Sequence, residues 1–156
     1  MPQTRRVISI IVENESSVLS RVSGLFSGRG YNIGTLTVAP IPNSKRSHMT
    51  ITTKGDEQTL NQITKQLNKI VPVYKVIEHD EMVEKEMVLV KFPLAESLAD
   101  IEVLCEAYNG TIVNVGVDMC IGMVADEPLR VRHFIEAVAR FNPIEIVRGG
   151  VVAIER

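Results

Sequence analysis

Residues 7–39 read VISIIVENESSVLSRVSGLFSGRGYNIGTLTVA, and this stretch decides the fold. Val7–Val12 is a run rich in β-branched residues, a buried strand by type. Val18, Val22, Leu25 and Phe26 then recur at helical spacing. Gly28 and Gly30 supply the left-handed backbone that ends such a helix, and residues 33–39 return to strand character. Between strand and helix, Asn14, Ser16 and Ser17 crowd a short polar junction. The start of a helix leaves backbone N–H groups unpaired and carries a partial positive charge. A junction of this kind either caps itself with Asn14 or Ser16 or receives an anion.

Downstream the pattern closes into a unit. PIPNSKRS is a Pro-rich connection, and Met49–Thr53 alternates apolar with polar residues as a half-buried strand does. Asp56 is placed to cap a second helix, whose face is traced by Leu60, Ile63, Leu67 and Ile70. VPVYKVI gives a fourth strand, so the order is βαββαβ. A polar stretch, EHDEMVEKE, follows and reads as a linker. The order then repeats: a strand over 87–92, a helix face of Leu98, Ile101, Leu104, Cys105 and Tyr108, strands over 111–115 and 119–124, and a helix carrying Val131, Phe134, Ile135 and Val138. Asp126 is expected to cap that last helix, and the final strand to start at NPIEIV and extend through GGVVAI. The expected class is α+β, with two ferredoxin-like βαββαβ units. The boundaries expected are 1–79 for the first unit, 80–86 for the linker and 87–156 for the second. In the first strand both faces are largely apolar, Ile8, Ile10 and Val12 on one and Val7, Ser9 and Ile11 on the other; helices cover one face only, and a second copy of the chain is the simplest cover for the other.

Composition bounds the function. The 156 residues are 45% hydrophobic and 23% charged, ordinary for a globular protein. The longest apolar runs fall far short of the roughly 20 residues a membrane span needs, and no signal-peptide pattern opens the chain. The expectation is a soluble cytoplasmic protein that binds no membrane. Formal net charge is −2, yet residues 1–78 carry ten Lys/Arg against five Asp/Glu, and residues 79–156 carry seven against fourteen. Opposite charges facing each other within one assembly account for that asymmetry.

Several chemistries are excluded on their residues. Gly28, Gly30 and Gly34 have the spacing G-x-G-x-x-x-G and follow a helix, the reverse of a dinucleotide loop. Single-stranded RNA binders of this fold order stack bases on aromatic side chains of the central strands. VISIIV and MTITT have none, and aromatic residues are 4% of the chain, so no nucleic acid is expected. His48, His79 and His133 are scattered, and no nucleophile motif is present. Asp80, Glu81, Glu84 and Glu86 lack the order of a calcium loop. Cys105 and Cys120 read as apolar core residues of a reducing compartment. No catalytic residue, metal site or cofactor is expected on this chain.

The wording of ENESSVLSRVSGLFSGRGYNIGTLTVAP resembles the first half of an ACT domain, an amino-acid-sensing module. Together with MTI, QLNKIV, VEKEMVLVK and the closing RGGVVAI it is similar to the regulatory (small) subunit family of acetolactate synthase. The likeness covers nearly the whole chain. It implies a non-catalytic subunit of branched-chain amino acid biosynthesis. Such a subunit binds a separate catalytic large subunit that carries thiamine diphosphate, Mg2+ and FAD, raises its activity and confers feedback inhibition by valine. It also implies a homodimer through the ACT domains, with valine, or leucine or isoleucine, at their interface. The effector residues implied are Asn14, Ser16, Ser17, Val18 and Leu19, with Asn32 and Ile33 coming from the partner chain. Ser17 departs from the family motif Asn-Glu-x-Gly, and weakened feedback is the expected consequence. The alternative is an ACT-type amino-acid sensor acting on a different enzyme. Ser20, Gly24, Ser27 and Gly28 make a small-residue stripe on which another helix or chain is expected to pack.

Overall fold

A computed structural model describes residues 2–78 and 81–156. The first unit runs β1 (Thr4–Glu13), α1 (Val18–Gly28), β2 (Asn32–Pro40), β3 (Arg46–Gly55), α2 (Glu57–Asn68) and β4 (Val73–Ile77). Its sheet has the order β2-β3-β1-β4, every pair antiparallel. Ile8, Ile10 and Val12 of β1, with Met49 and Ile51 of β3, face the helices. There they meet Val18, Val22 and Phe26 of α1 and Leu60, Ile63 and Leu67 of α2. These are the periodic positions of the sequence, since a residue every two along a strand and every three or four along a helix shares one face.

The local signals act as read. Asp56 caps α2, its carboxylate accepting from the Thr59 N–H at 2.7 Å. After α1, Gly30 takes the left-handed conformation, φ 69°. The second face of the sheet differs from the expectation drawn from β1 alone. Register sets Ser9 beside Thr50 and Val7 beside Thr52, with Thr35 and Thr37 of β2 opposite the same threonines. That face is lined largely by hydroxyls, and Ser9, Thr50 and Thr52 are buried in the chain itself.

The rest of the chain forms β5 (Met82–Pro93), α3 (Leu98–Ala107), β6 (Thr111–Val115), β7 (Met119–Asp126), α4 (Pro128–Val138), a 3-10 turn, β8 (Glu145–Arg148) and β9 (Val152–Glu155), and the second unit spans Glu84–Val152 of it. Sheet order is β6-β7-β5-β8, with β9 also on β5. Val88, Val90, Phe92, Ile101, Cys105, Cys120, Val124, Val131, Phe134 and Val138 form its core. Each unit is thus an antiparallel sheet with two helices, the ferredoxin-like βαββαβ arrangement.

Three sequence expectations are corrected. Residues 82–86 of the expected linker are strand, the opening of β5; Asp80 lies outside the described residues. The acidic composition misled because a paired carboxylate looks like a solvated one: Glu86 is buried and accepts from Arg148 Nε at 2.6 Å. The closing segment is two strands, broken over residues 149–151, and Ala153–Arg156 belong to the first compact unit. Asp126 does not cap α4. Glu127 holds the N-cap position with Pro128 after it, and Asp126 ends β7.

Candidate functional site

The junction between β1 and α1 is the site the sequence singles out. Its backbone is anchored from β3's approach: the Asn14 N–H donates to the Lys45 carbonyl at 3.0 Å. A tight turn follows, with the Glu15 N–H on Glu13 O at 2.9 Å and the Val18 N–H on Glu15 O at 3.2 Å. Asn14, Ser16 and Ser17 are exposed. Neither Asn14 nor Ser16 is the helix cap. Ser17 occupies the N-cap position, and its side chain makes no capping bond. No acidic residue sits in the first turn of α1, so that turn carries no carboxylate of its own against the positive end of the helix.

Ser17 has φ −85° and ψ −12°, an ordinary right-handed conformation open to any residue. The backbone here makes no demand for glycine; what serine adds is only its side chain. Val18 turns its side chain into the core, 2% exposed, so its own contribution to a ligand is confined to backbone. Leu19 is 41% exposed and presents an apolar surface beside the junction.

Asn32 and Ile33 lie elsewhere. Glu13, next to Asn14, pairs with Arg46 at one end of β3, whereas Asn32 pairs with Lys54 at the other. At about 3.4 Å per residue those ends are roughly 27 Å apart. One chain therefore does not bring Asn32 and Ile33 to Asn14 and Ser17. Asn32 is exposed, and Ile33 is half-buried against the core of its unit. β2, which carries both, is one of the two edge strands of its sheet, and an edge strand offers unpaired backbone groups to another chain.

Two further constellations escaped the sequence reading, because their members are distant in the chain. Beside the junction, the Arg46 guanidinium lies 3.5 Å from the Tyr74 ring centroid and 3.6 Å from a Glu13 carboxylate oxygen. In the second unit, Asp126 accepts from the Glu127 N–H (2.8 Å), Arg130 Nε (2.9 Å), Asn109 Nδ2 (3.1 Å) and Lys85 Nζ (3.4 Å). Burial pushes the Asp126 carboxyl up, but these donors outweigh it and hold its pKa at about 2. Arg130 also donates to the Ala107 carbonyl at the end of α3 and lies over the Tyr108 ring. The network ties the end of α3 to the start of α4. Burial is also the main cause that raises the Cys105 thiol to about 11, with the neighbouring Cys120 adding to it.

Among the described residues no group of three or more His, Cys, Asp or Glu is placed to hold a metal ion, and no helix is long and apolar enough to cross a membrane. The stripe of Ser20, Gly24, Ser27 and Gly28 has no helix of its own chain upon it: a Cβ added at Gly24 or Gly28 would meet open space.

Comparison with known proteins bears on both units. Residues 8–75 match the family model described as the AHAS small subunit-like ACT domain, and residues 85–156 match the small subunit of acetolactate synthase. The acetolactate synthase small subunit of Haemophilus influenzae is 42% identical over 97% of this chain and 96% of its own length. The isozyme 3 small subunit of Escherichia coli is 41% identical over the same shares. The crystal structure of the acetolactate synthase small subunit from Thermotoga maritima superposes with a TM-score of 0.89, at 33% identity over 98% of both chains. The first unit is an ACT domain, and the chain belongs to the acetolactate synthase small-subunit family.

Proposed function

We propose that this chain is a non-catalytic regulatory subunit that activates the catalytic large subunit of acetolactate synthase and makes it sensitive to valine. The observation that carries the effector half of this reading is the placement of the two site segments at opposite ends of β3. A single chain cannot close around a small amino acid with residues so far apart, but two chains can. If β2 pairs antiparallel with β2 of a second copy, the partner's Asn32 comes to the Pro40 end, and Pro40 pairs with Ser47 next to Arg46 and Glu13. That is the Asn14 end.

The chemistry at that end suits an α-amino acid. Backbone N–H groups and the positive end of α1 attract a carboxylate. Asn14 supplies both a donor and an acceptor, and exposed Leu19 offers apolar surface to a branched side chain. The preference among valine, leucine and isoleucine follows from the apolar walls, for which valine is our assignment. Thiamine diphosphate, Mg2+ and FAD are assigned to the large subunit, and the complex to the cytoplasm. Ser17 adds a Cβ and a hydroxyl where the family motif has glycine, and we assign to it a weakened feedback.

The test is acetolactate formation by the cognate large subunit, with and without this chain, across a valine titration. Activation that valine reverses is the expected result. Activation that valine leaves untouched would remove the effector assignment and keep the partner. No change in activity would remove the partner, leaving a sensor for another enzyme.

A further inference from the structure

We infer that Thr52 and Thr53 are positioning residues for the effector segment Asn32–Ile33, acting by locking a β-bulge at Gly34; the inference rests on the effector site proposed above. The register of β2 against β3 shifts between Ile33, which faces Thr53, and Thr35, which faces Thr52. Gly34 is the extra residue. Its backbone lies hard against β3: an added Cβ would stand 2.9 Å from Thr52 Oγ1 and 3.3 Å from the Thr52 carbonyl oxygen. A bulge takes backbone groups out of the regular ladder, and buried groups of this kind need other partners.

The two threonines supply them, on either side of Gly34. Thr53 Oγ1 donates to the Asn32 carbonyl at 2.5 Å. Thr52 Oγ1 accepts from the Thr35 N–H at 2.8 Å and sits 2.8 Å from Thr35 Oγ1. Consecutive strand residues point to opposite faces, so β2 is gripped from both faces of the sheet. Thr53 is 1% and Thr52 5% exposed, which shelters these bonds from competing water.

The consequence is one of register. If the bulge relaxed into a regular ladder, the chain before it would slip by one residue, and a slip of one moves every side chain to the other face. Asn32 would exchange faces with Ile33, and the segment offered to a second copy would be the wrong one. The hydroxyls decide which of the two side chains is outward.

The experiment compares the full chain with Thr53→Val, Thr53→Ser, Thr52→Val and Thr52→Ser, each with the cognate large subunit. Three quantities are read: activation without valine, the valine concentration for half-inhibition, and the melting temperature of the small subunit. Loss of one such hydrogen bond is expected to raise the half-inhibiting concentration about fivefold in each valine variant. Activation without valine should change much less, and each serine variant should restore the response. A valine response in Thr53→Val and Thr52→Val equal to the unaltered chain's would overturn the inference. So would a parallel loss of activation and valine response that serine does not rescue, because that marks a merely structural role. If Thr53→Val fails to fold, the Thr52 pair decides alone. An unaltered chain that activates but ignores valine would instead sink the effector reading, and this inference with it.

Discussion

Asp126, the last residue of β7, and Arg130, four residues on in the first turn of α4, are joined by a 2.9 Å bond from Arg130 Nε to Asp126 Oδ2. Asp126 is 5% exposed and anchors three more donors, while the Arg130 and Lys85 side chains reach it from the surface. Because the folded pKa is about 2, below the ordinary aspartate value of 3.8, the charged form stabilises the fold. That stability is fully present above pH 4 and is lost as pH falls through about 2. Solvent screening of the exposed Arg130 and Lys85 reduces what that shift contributes to roughly 1 kcal/mol. Asp126→Asn should therefore be less stable than the parent by about that amount at pH 7, with the gap closing toward pH 2. Urea denaturation followed by circular dichroism at both pH values measures it, and a gap that does not change with pH would refute the assignment.

Glycines at two kinds of position should answer oppositely to alanine. At Gly24, inside α1, an added Cβ meets nothing within 4 Å. Alanine is the better helix former by about 1 kcal/mol, so Gly24→Ala should raise the melting temperature. At Gly110 the added carbon would stand 2.3 Å from the Met123 carbonyl oxygen and 2.5 Å from a Val124 methyl. Backbone cannot yield there without opening the β6–β7 pairing, and Gly110→Ala should cost several kcal/mol. Thermal melts of both variants test the contrast. A melting temperature that falls in Gly24→Ala while the chain is dimeric would show that a partner lies on the stripe.

Both thiols are buried, and Cys105 is raised to about 11. The thiolate is the reacting species, so at pH 8 the folded chain should react with a thiol reagent far more slowly than the chain in denaturant. Absorbance with a chromogenic disulfide reports this directly. Two rapid equivalents from the native chain would contradict the burial of Cys105 and Cys120.

Legibility in the sequence followed the range of the interactions. Val18, Val22 and Phe26, or Leu60, Ile63 and Leu67, announce their helices because burial of one face imposes a period on neighbours in the chain. The Asp56 cap is local and was equally plain. Glu86 was not, because its charge is cancelled by Arg148, far along the chain, and no local pattern distinguishes a paired carboxylate from a solvated one. Asp126 failed differently: it looks like a cap, but Pro128 moves the helix start one residue on. At the candidate site, the polar β1–α1 junction could be read from its residues as a cap or an anion seat, and its effector role, with Asn32–Ile33, entered only through a family resemblance. The hydroxyls that hold Asn32 and Thr35 come from β3, and only register reveals them.

Ser17 gives the sharpest test of the effector site. Its backbone angles suit any residue, so Ser17→Gly leaves the junction's geometry accessible and removes only a Cβ and an exposed hydroxyl. Its hydroxyl makes no capping bond, so little helix stability goes with it. Serine and glycine differ by only a few tenths of a kcal/mol at an N-cap position. The expected outcome is a melting temperature within a degree or two of the parent and tighter valine binding. Calorimetric titration of valine into both proteins measures the second quantity. Tighter binding would mean that the serine side chain narrows the space a ligand uses above the helix start. Equal affinity would mean that the carboxylate is held without approaching residue 17, and the assignment of weakened feedback to Ser17 would be withdrawn. Weaker binding in Ser17→Gly would reverse the sign of the proposal, making the hydroxyl a donor to the effector instead of an obstacle.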